Sequence, residues 1–237
     1  MQVQQGTVHI EQHGIDGFPV NHGIRFCIAA TRQYTTAHHG VQSQESPLSK
    51  PKVLHSREVA RTRLFRVEEM GLRFSNGVER TYERLVGFNT GHAAVMVLPL
   101  LDDQRFVMIE EYAAGTEDYQ LSLPKGLVEP GESLLEGANR ELMEEAGYGA
   151  HKLELLTELS LSPNYMSHRM QVVVARDLYE MRLEGDEPEP LGVHVFHFDQ
   201  LPELVQRPDF TEARAMVALY MARDLLRSPQ GDVQSTI

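Results

Sequence analysis

Residues 123–148 read LPKGLVEPGESLLEGANRELMEEAGY. The stretch holds six glutamates, Glu129, Glu132, Glu136, Glu141, Glu144 and Glu145, beside a loop with Gly126 and Gly131. A solvated helix face normally intersperses basic residues among its carboxylates, yet only Arg140 lies near these. Helix residues at i, i+3 and i+4 share a face, and Glu141, Glu144 and Glu145 have that spacing. Leu135, Ala138 and Leu142 recur at i, i+3 and i+7, which makes them the expected apolar stripe. The spacing therefore predicts a helix that starts near Ser133 and stops at Gly147. Like charges so placed repel by roughly 0.2–0.5 kcal/mol per pair on an exposed helix. A hard cation with oxygen ligands, such as Mg2+, relieves that repulsion.

Residues 62–88 place Met70, Leu72 and Phe74 in alternation before Asn76-Gly77, which is a hairpin signal. AAVMVLPLL is an apolar run of buried-strand length, and Asp102-Asp103 turns the chain into the strand RFVMIEEY. YQLSL is a short strand entering the glutamate stretch, and LELLTELSL, RMQVVVARDL and VHVFHF are strands beyond it. A short helix near DQLPELVQ and a long one at TEARAMVALYMARDLL, capped from Asp209 or Thr211, close the chain. Strands, one helix, more strands and then helices are not the alternation of a doubly wound sheet. The expected class is α+β, a mixed sheet with helices packed on both sides.

Residues 1–48 have a different texture, with five histidines (9, 13, 22, 38 and 39), many Gln, Gly and Thr, and no apolar period. They are expected to form a weakly ordered extension, and the histidine spacings match no familiar metal site. A chain of 237 residues suits one large or two small domains, and residues 49–237 are read as one domain. No apolar run approaches the ~20 residues of a membrane span, and no basic start with an apolar core marks a signal peptide. The one cysteine, Cys27, cannot form an intramolecular disulfide, which suits a reducing cytoplasm and gives no sign of a nucleophile. With 34 Asp and Glu against 22 Lys and Arg, net charge −12, the chain lacks the basic footprint of a nucleic-acid binder. An anionic substrate would need positive charge supplied locally, and a divalent metal held by carboxylates supplies it.

Gly126, Glu132, Arg140, Glu141, Glu144, Glu145 and Gly147 fit G-x5-E-x7-R-E-U-x-E-E-x-G-U, with Leu142 at the first apolar U. Seven specified letters at roughly 7% usage each recur by chance on the order of 10^-8 per window. This is the pattern of the Nudix box. Tyr148 stands where the last position prefers an aliphatic residue. From about residue 50 to 226 the chain resembles the ADP-ribose pyrophosphatase branch of the Nudix hydrolases. RLFRVE, FSNGVERTYERL, EEYAAGTEDYQL, KGLVEPGES, ANRELMEEAGYGA, LEGDEPEP and PDFTEARAMVALY carry that resemblance.

The resemblance implies an α/β/α sandwich and a Mg2+-dependent diphosphatase, with Mn2+ a possible substitute. The expected substrates are nucleoside-diphosphate compounds such as ADP-ribose, NADH and diadenosine polyphosphates, with AMP as one product. It implies Glu141, Glu144, Glu145 and the Lys125 carbonyl as metal ligands, with Glu132 and Arg140 paired to hold the loop against the helix. Gly126 and Gly147 would permit backbone turns. Glu187, in the acidic loop LEGDEPEP, aligns with the general base and Glu189 with a further metal ligand. The catalytic set so implied is Glu187, Glu144 and Arg140. The alternative reading is a solvated loop stiffened by Pro188 and Pro190. Arg84 and Tyr112 are expected to contact the ADP side, and LSPNYMSHRM, with Tyr165, is a possible substrate loop. Relatives often have an arginine where this chain has Ala113. The strands at about 53–92 are expected to form a homodimer. Alternative readings are a catalytically silent nucleotide sensor and a diphosphatase of RNA ends or coenzyme A.

Overall fold

The computed structural model describes residues 48–87 and 93–227. The expectations for the histidine-rich extension and for Cys27 lie outside these residues.

β4 (Ala94–Pro99) lies at the centre of a four-stranded sheet ordered β7-β4-β9-β8. It runs parallel to β9 (Arg169–Glu180) and antiparallel to β7 (Lys125–Leu127), and β8 (Tyr148–Ser160) pairs antiparallel with β9. All six residues of β4 are buried, which is why its sequence is a continuous apolar run rather than an alternation. A second, antiparallel sheet is ordered β10-β5-β6, from β5 (Arg105–Ala113), β6 (Asp118–Ser122) and β10 (Gly192–His197). Between β4 and β5, Asp102 Oδ1 accepts the N–H groups of Gln104 and Arg105, so the expected turn is built by a side chain capping its own backbone.

Helices cover two separate cores. α1 (Leu134–Glu141) sets Ala138 against Val95, Val97, Val107, Ile109 and Val173. α3 (Ala213–Arg227) sets Ala215, Ala218, Leu219 and Ala222 into the other core, with Met96, Leu98, Phe106 and Met108. Alternate residues of β4 and β5 thus serve opposite cores, and the mixed sheet with helices on both sides is present. α2 (Leu201–Leu204) follows a 3-10 turn at Phe198–Gln200 and buries Leu201 and Leu204.

The N-terminal sheet, β1 (Lys52–Arg61), β2 (Arg66–Arg73) and β3 (Glu79–Val86), is a meander. Gly77 at its β2–β3 turn has φ 83°, a value that favours glycine, so the Asn76-Gly77 signal marks a hairpin as expected. Every residue of β1 is exposed. The end of β3 joins the rest of the fold through the 160s loop: Leu85 N–H donates to the Tyr165 carbonyl, and Ser167 N–H donates to that of Leu85.

Two details differ from the sequence reading. Leu135 is 38% exposed, and Leu134 packs on the α1 core in its place. Neither Asp209 nor Thr211 caps α3: Asp209 binds Arg207 and Thr211 binds Gln120, while the Glu212 carboxylate accepts the Ala215 N–H. Among the described residues no helix is long and apolar enough to cross a membrane.

Candidate active site

The glutamate stretch folds as loop, helix and π-turn. Ser133 caps α1 in a reciprocal box: its Oγ accepts the Glu136 N–H, and Glu136 Oε2 accepts the Ser133 N–H at 2.8 Å. Beyond Glu141 the helix widens into a π-turn, Leu142–Ala146, and Gly147 ends it in the left-handed conformation at φ 75°. Glu132 and Arg140 meet as expected, with Nε donating to Oε1 at 2.9 Å. Arg140 Nη2 also donates to the Leu127 carbonyl at 2.7 Å, and Glu132 accepts the Glu129 N–H. One guanidinium therefore ties both ends of the loop to the helix.

That geometry presses β7 onto the glutamates. A Cβ at Gly126 would overlap the Glu141 carboxylate, so any larger residue there would push that carboxylate aside. The Lys125 N–H donates to Glu145 Oε2 at 2.9 Å. Glu141 and Glu145 are buried, 8% and 4% exposed, whereas Glu144 is half-buried. Burial pushes the Glu145 carboxyl up to about 8, with Lys125 opposing the shift only in part. Burial raises Glu141 as well, against the pull of Arg140. Carboxylates taken out of water without a full counter-charge hold protons in this way. Arg140 Nη1 supplies one countercharge, reaching Glu141 at 3.0 Å and Glu144 at 2.7 Å.

As placed, no three His, Cys, Asp or Glu side chains among the described residues converge on one ion position, and that guanidinium nitrogen contacts two of the helix carboxylates. The donor set nonetheless fits a hard divalent cation. It is all oxygen, it comes from one helical turn, and two of its members are buried carboxylates raised above their ordinary range.

A cleft of about 760 Å³ opens over these residues. Its far wall is the acidic loop, contributing Glu184, Asp186 and Glu187. The loop is anchored at its start, where Met181 N–H donates to the Gly147 carbonyl, Leu183 N–H to that of Met143, and Arg182 to that of Glu144. Gly185 then passes close to Glu144, with the Glu187 carboxylate directly beside it. Glu187 faces Glu141 closely enough for its charge to raise the Glu141 carboxyl. Eight carboxylates line the cleft, and its two cations, Arg140 and Lys125, are both engaged, Lys125 Nζ with Glu111 at 2.5 Å. Glu111, Glu184 and Asp186 escaped the sequence reading. For Glu111 the available signal was a carboxylate at the end of a buried strand.

Other expected site residues lie elsewhere. Glu189 accepts a hydrogen bond from the Tyr119 hydroxyl at 2.6 Å and does not line the cleft. The chain bends at 188–189, so Glu187 and Glu189 diverge instead of pointing together as they would on an extended segment. Tyr112 packs edge-on against Tyr119 at 5.6 Å, on the opposite side of β5 from Glu111. Arg84 is ion-paired with Glu68 at 2.9 Å and borders a different hollow, between the N-terminal sheet and the 160s loop. Tyr165 is 69% exposed and fills no core.

Comparison with known proteins accords with this architecture. A model of the NudE-type Nudix hydrolase N-terminal domain matches residues 51–84, and a model of the NUDIX domain matches residues 90–219. The chain is 50% identical over 186 residues to the ADP compounds hydrolase NudE of Escherichia coli (strain K12), covering 78% of this chain and 98% of that protein. It is 30% identical over 128 residues to the ADP-ribose pyrophosphatase of Bacillus subtilis (strain 168), covering 53% and 69%. A crystal structure of ADP compounds hydrolase superposes with a TM-score of 0.69 at 49% identity, over 77% of this chain and 97% of that one.

Proposed function

This chain belongs to the Nudix family, and on that premise we propose that it hydrolyses the diphosphate linkage of ADP-containing compounds. ADP-ribose, NADH and diadenosine polyphosphates are the substrates proposed, with AMP and a second phosphorylated compound released. The observation that carries this reading is the cleft itself: Glu141, Glu144 and Glu145 from one helical turn face Glu187 from a separate loop. Residues 49–237 form the catalytic domain in this reading.

Glu141, Glu144, Glu145 and the Lys125 carbonyl would hold Mg2+, or Mn2+ in its place. When bound, the ion supplies positive charge to diphosphate oxygens that otherwise repel an attacking water and this acidic wall. Glu187 is the carboxylate assigned to take the proton from that water, since it stands on the loop and not among the helix glutamates. Arg140 positions the set by holding Glu132, the Leu127 carbonyl and the helix in one arrangement. Gly126 and Gly147 shape the backbone around it. Glu189, Arg84 and Tyr112 lie outside the cleft and are assigned no role in this step.

The protein acts on small molecules in the cytoplasm as a homodimer in this reading. The dimer is supported by Val53, Leu54, Val59, Leu64 and Phe65, which are all exposed on or beside β1. Apolar side chains grouped on one sheet mark an association surface.

Mass spectrometry of reactions with Mg2+ and ADP-ribose, NADH or diadenosine triphosphate tests the activity. AMP and its complementary phosphorylated product are expected from at least one of them. Intact substrate in all three at stoichiometric enzyme would refute it.

A further inference from the structure

Against the glutamate cleft lies a second hollow of about 370 Å³, a size within the ~300–1,000 Å³ of small-molecule sites. The two share Glu111, Lys125, Gly126, Leu127 and Glu145. The remaining walls of the hollow are Ala94, Leu161, Met166, Met170, His168 and Arg214. Its chemistry is unlike that of the cleft. Four of these six are apolar, and Arg214 is its added cation.

Arg214 is held in a defined pose. It sits in the first turn of α3, where Glu212 Oε2 accepts the Ala215 N–H at 2.6 Å and Oε1 accepts the Arg214 Nε–H at 2.6 Å. One carboxylate thus starts the helix and aims the guanidinium, whose side chain is only 13% exposed. Arg214 Nη1 lies 3.2 Å from His168 Nε2. A guanidinium has donors and no lone pair, so Nε2 is the acceptor, and His168 is neutral with its proton on Nδ1. Burial, aided by the Arg214 charge, holds His168 below the usual imidazole range, in agreement with that tautomer. Neither bond uses Arg214 Nη2.

We propose that this hollow is the subsite for a flat, neutral nitrogen-heterocyclic ring on one side of the substrate's diphosphate, with Met166 and Met170 against the ring and Arg214 Nη2 donating to an acceptor on its edge. Thioethers pack well on aromatic faces, and a guanidinium suits planar, directed donation. A phosphate fits less well, because Glu111 and Glu145 stand in the shared wall. A neutral ring with a nitrogen or carbonyl acceptor meets no such repulsion. Both a purine edge and the carboxamide of a dihydronicotinamide ring, as in NADH, have that chemistry. The inference rests on the glutamate cleft being where the diphosphate is cut.

Calorimetric binding of AMP, reduced nicotinamide mononucleotide and ribose 5-phosphate to wild type, Arg214→Met and Met166→Ala, all with Mg2+, tests it without turnover. Arg214→Met is expected to weaken at least one ring-bearing ligand about tenfold and to leave ribose 5-phosphate within twofold. The ligand that weakens names the ring. Met166→Ala, on the 160s loop, is expected to weaken the same ligand about threefold, and it decides the matter should Arg214→Met fail to fold. Equal weakening of all three ligands would make Arg214 a phosphate contact and overturn the proposal, as would unchanged binding of both ring-bearing ligands. A wild type that binds these ligands through Arg214 yet cleaves no ADP compound would sink the diphosphatase reading instead.

Discussion

Glu187 and Glu189 stand two residues apart in sequence and meet opposite surroundings. Glu187 lines the cleft and raises the Glu141 carboxyl, whereas Glu189 is taken up by the Tyr119 hydroxyl. Glu187→Gln is expected to lower kcat by about 10^2-fold or more, the range of a general base, with the Mg2+ activation midpoint nearly unchanged. Glu189→Gln is expected to keep both within about threefold, since the glutamine amide oxygen still accepts from the Tyr119 hydroxyl and Glu189 stands outside the cleft. Steady-state kinetics over a Mg2+ series checks both; a normal kcat in Glu187→Gln moves the base elsewhere. Two residues apart, the carboxylates would share one side of an extended segment. The bend at 188–189 that separates them leaves no mark in the alternation of residue types.

At the scale of the element, the box works because its loop, helix and π-turn are fastened at both ends. Ser133→Ala removes the acceptor for the Glu136 N–H and is expected to cost ~1 kcal/mol, read as a lower denaturant midpoint with unchanged m-value. An unchanged midpoint would mean the cap is redundant with the Glu132–Arg140 tie. The helix start and stop were legible because Ser133, Glu136 and Gly147 act locally. The choice between Leu134 and Leu135 was not, since it depends on the helix rotation set by Arg140 reaching back to the Leu127 carbonyl. The π-turn was hidden for a similar reason: the composition of LMEEA suits an ordinary helix equally well. The acidic loop is docked by the Met181 and Leu183 N–H groups and the Arg182 side chain, none of which marks Glu184 or Asp186 in the sequence.

For the whole molecule, the mixed sheet was readable from the order of apolar runs, while the exposure of the N-terminal sheet emerged only from the packing. All of β1 is exposed, with Val59 at 40% and Phe65, just beyond it, at 49%. Sedimentation velocity at micromolar concentration is expected to give a dimer, and Val59→Glu together with Phe65→Glu is expected to shift it toward monomer. A monomeric wild type would assign that surface to another role. The account's central claim is that the buried helix glutamates hold the divalent ion needed to cut the diphosphate, and Glu145, 4% exposed, is its sharpest probe. The direct test is turnover of an ADP compound cleaved by the wild type, titrated with Mg2+, in wild type and in Glu145→Gln of verified fold. The account predicts no turnover without a divalent cation, and a loss of at least ~100-fold in Glu145→Gln at saturating Mg2+, equivalent to about 2.7 kcal/mol of transition-state stabilisation. Metal-independent turnover, or wild-type turnover in Glu145→Gln, would contradict it.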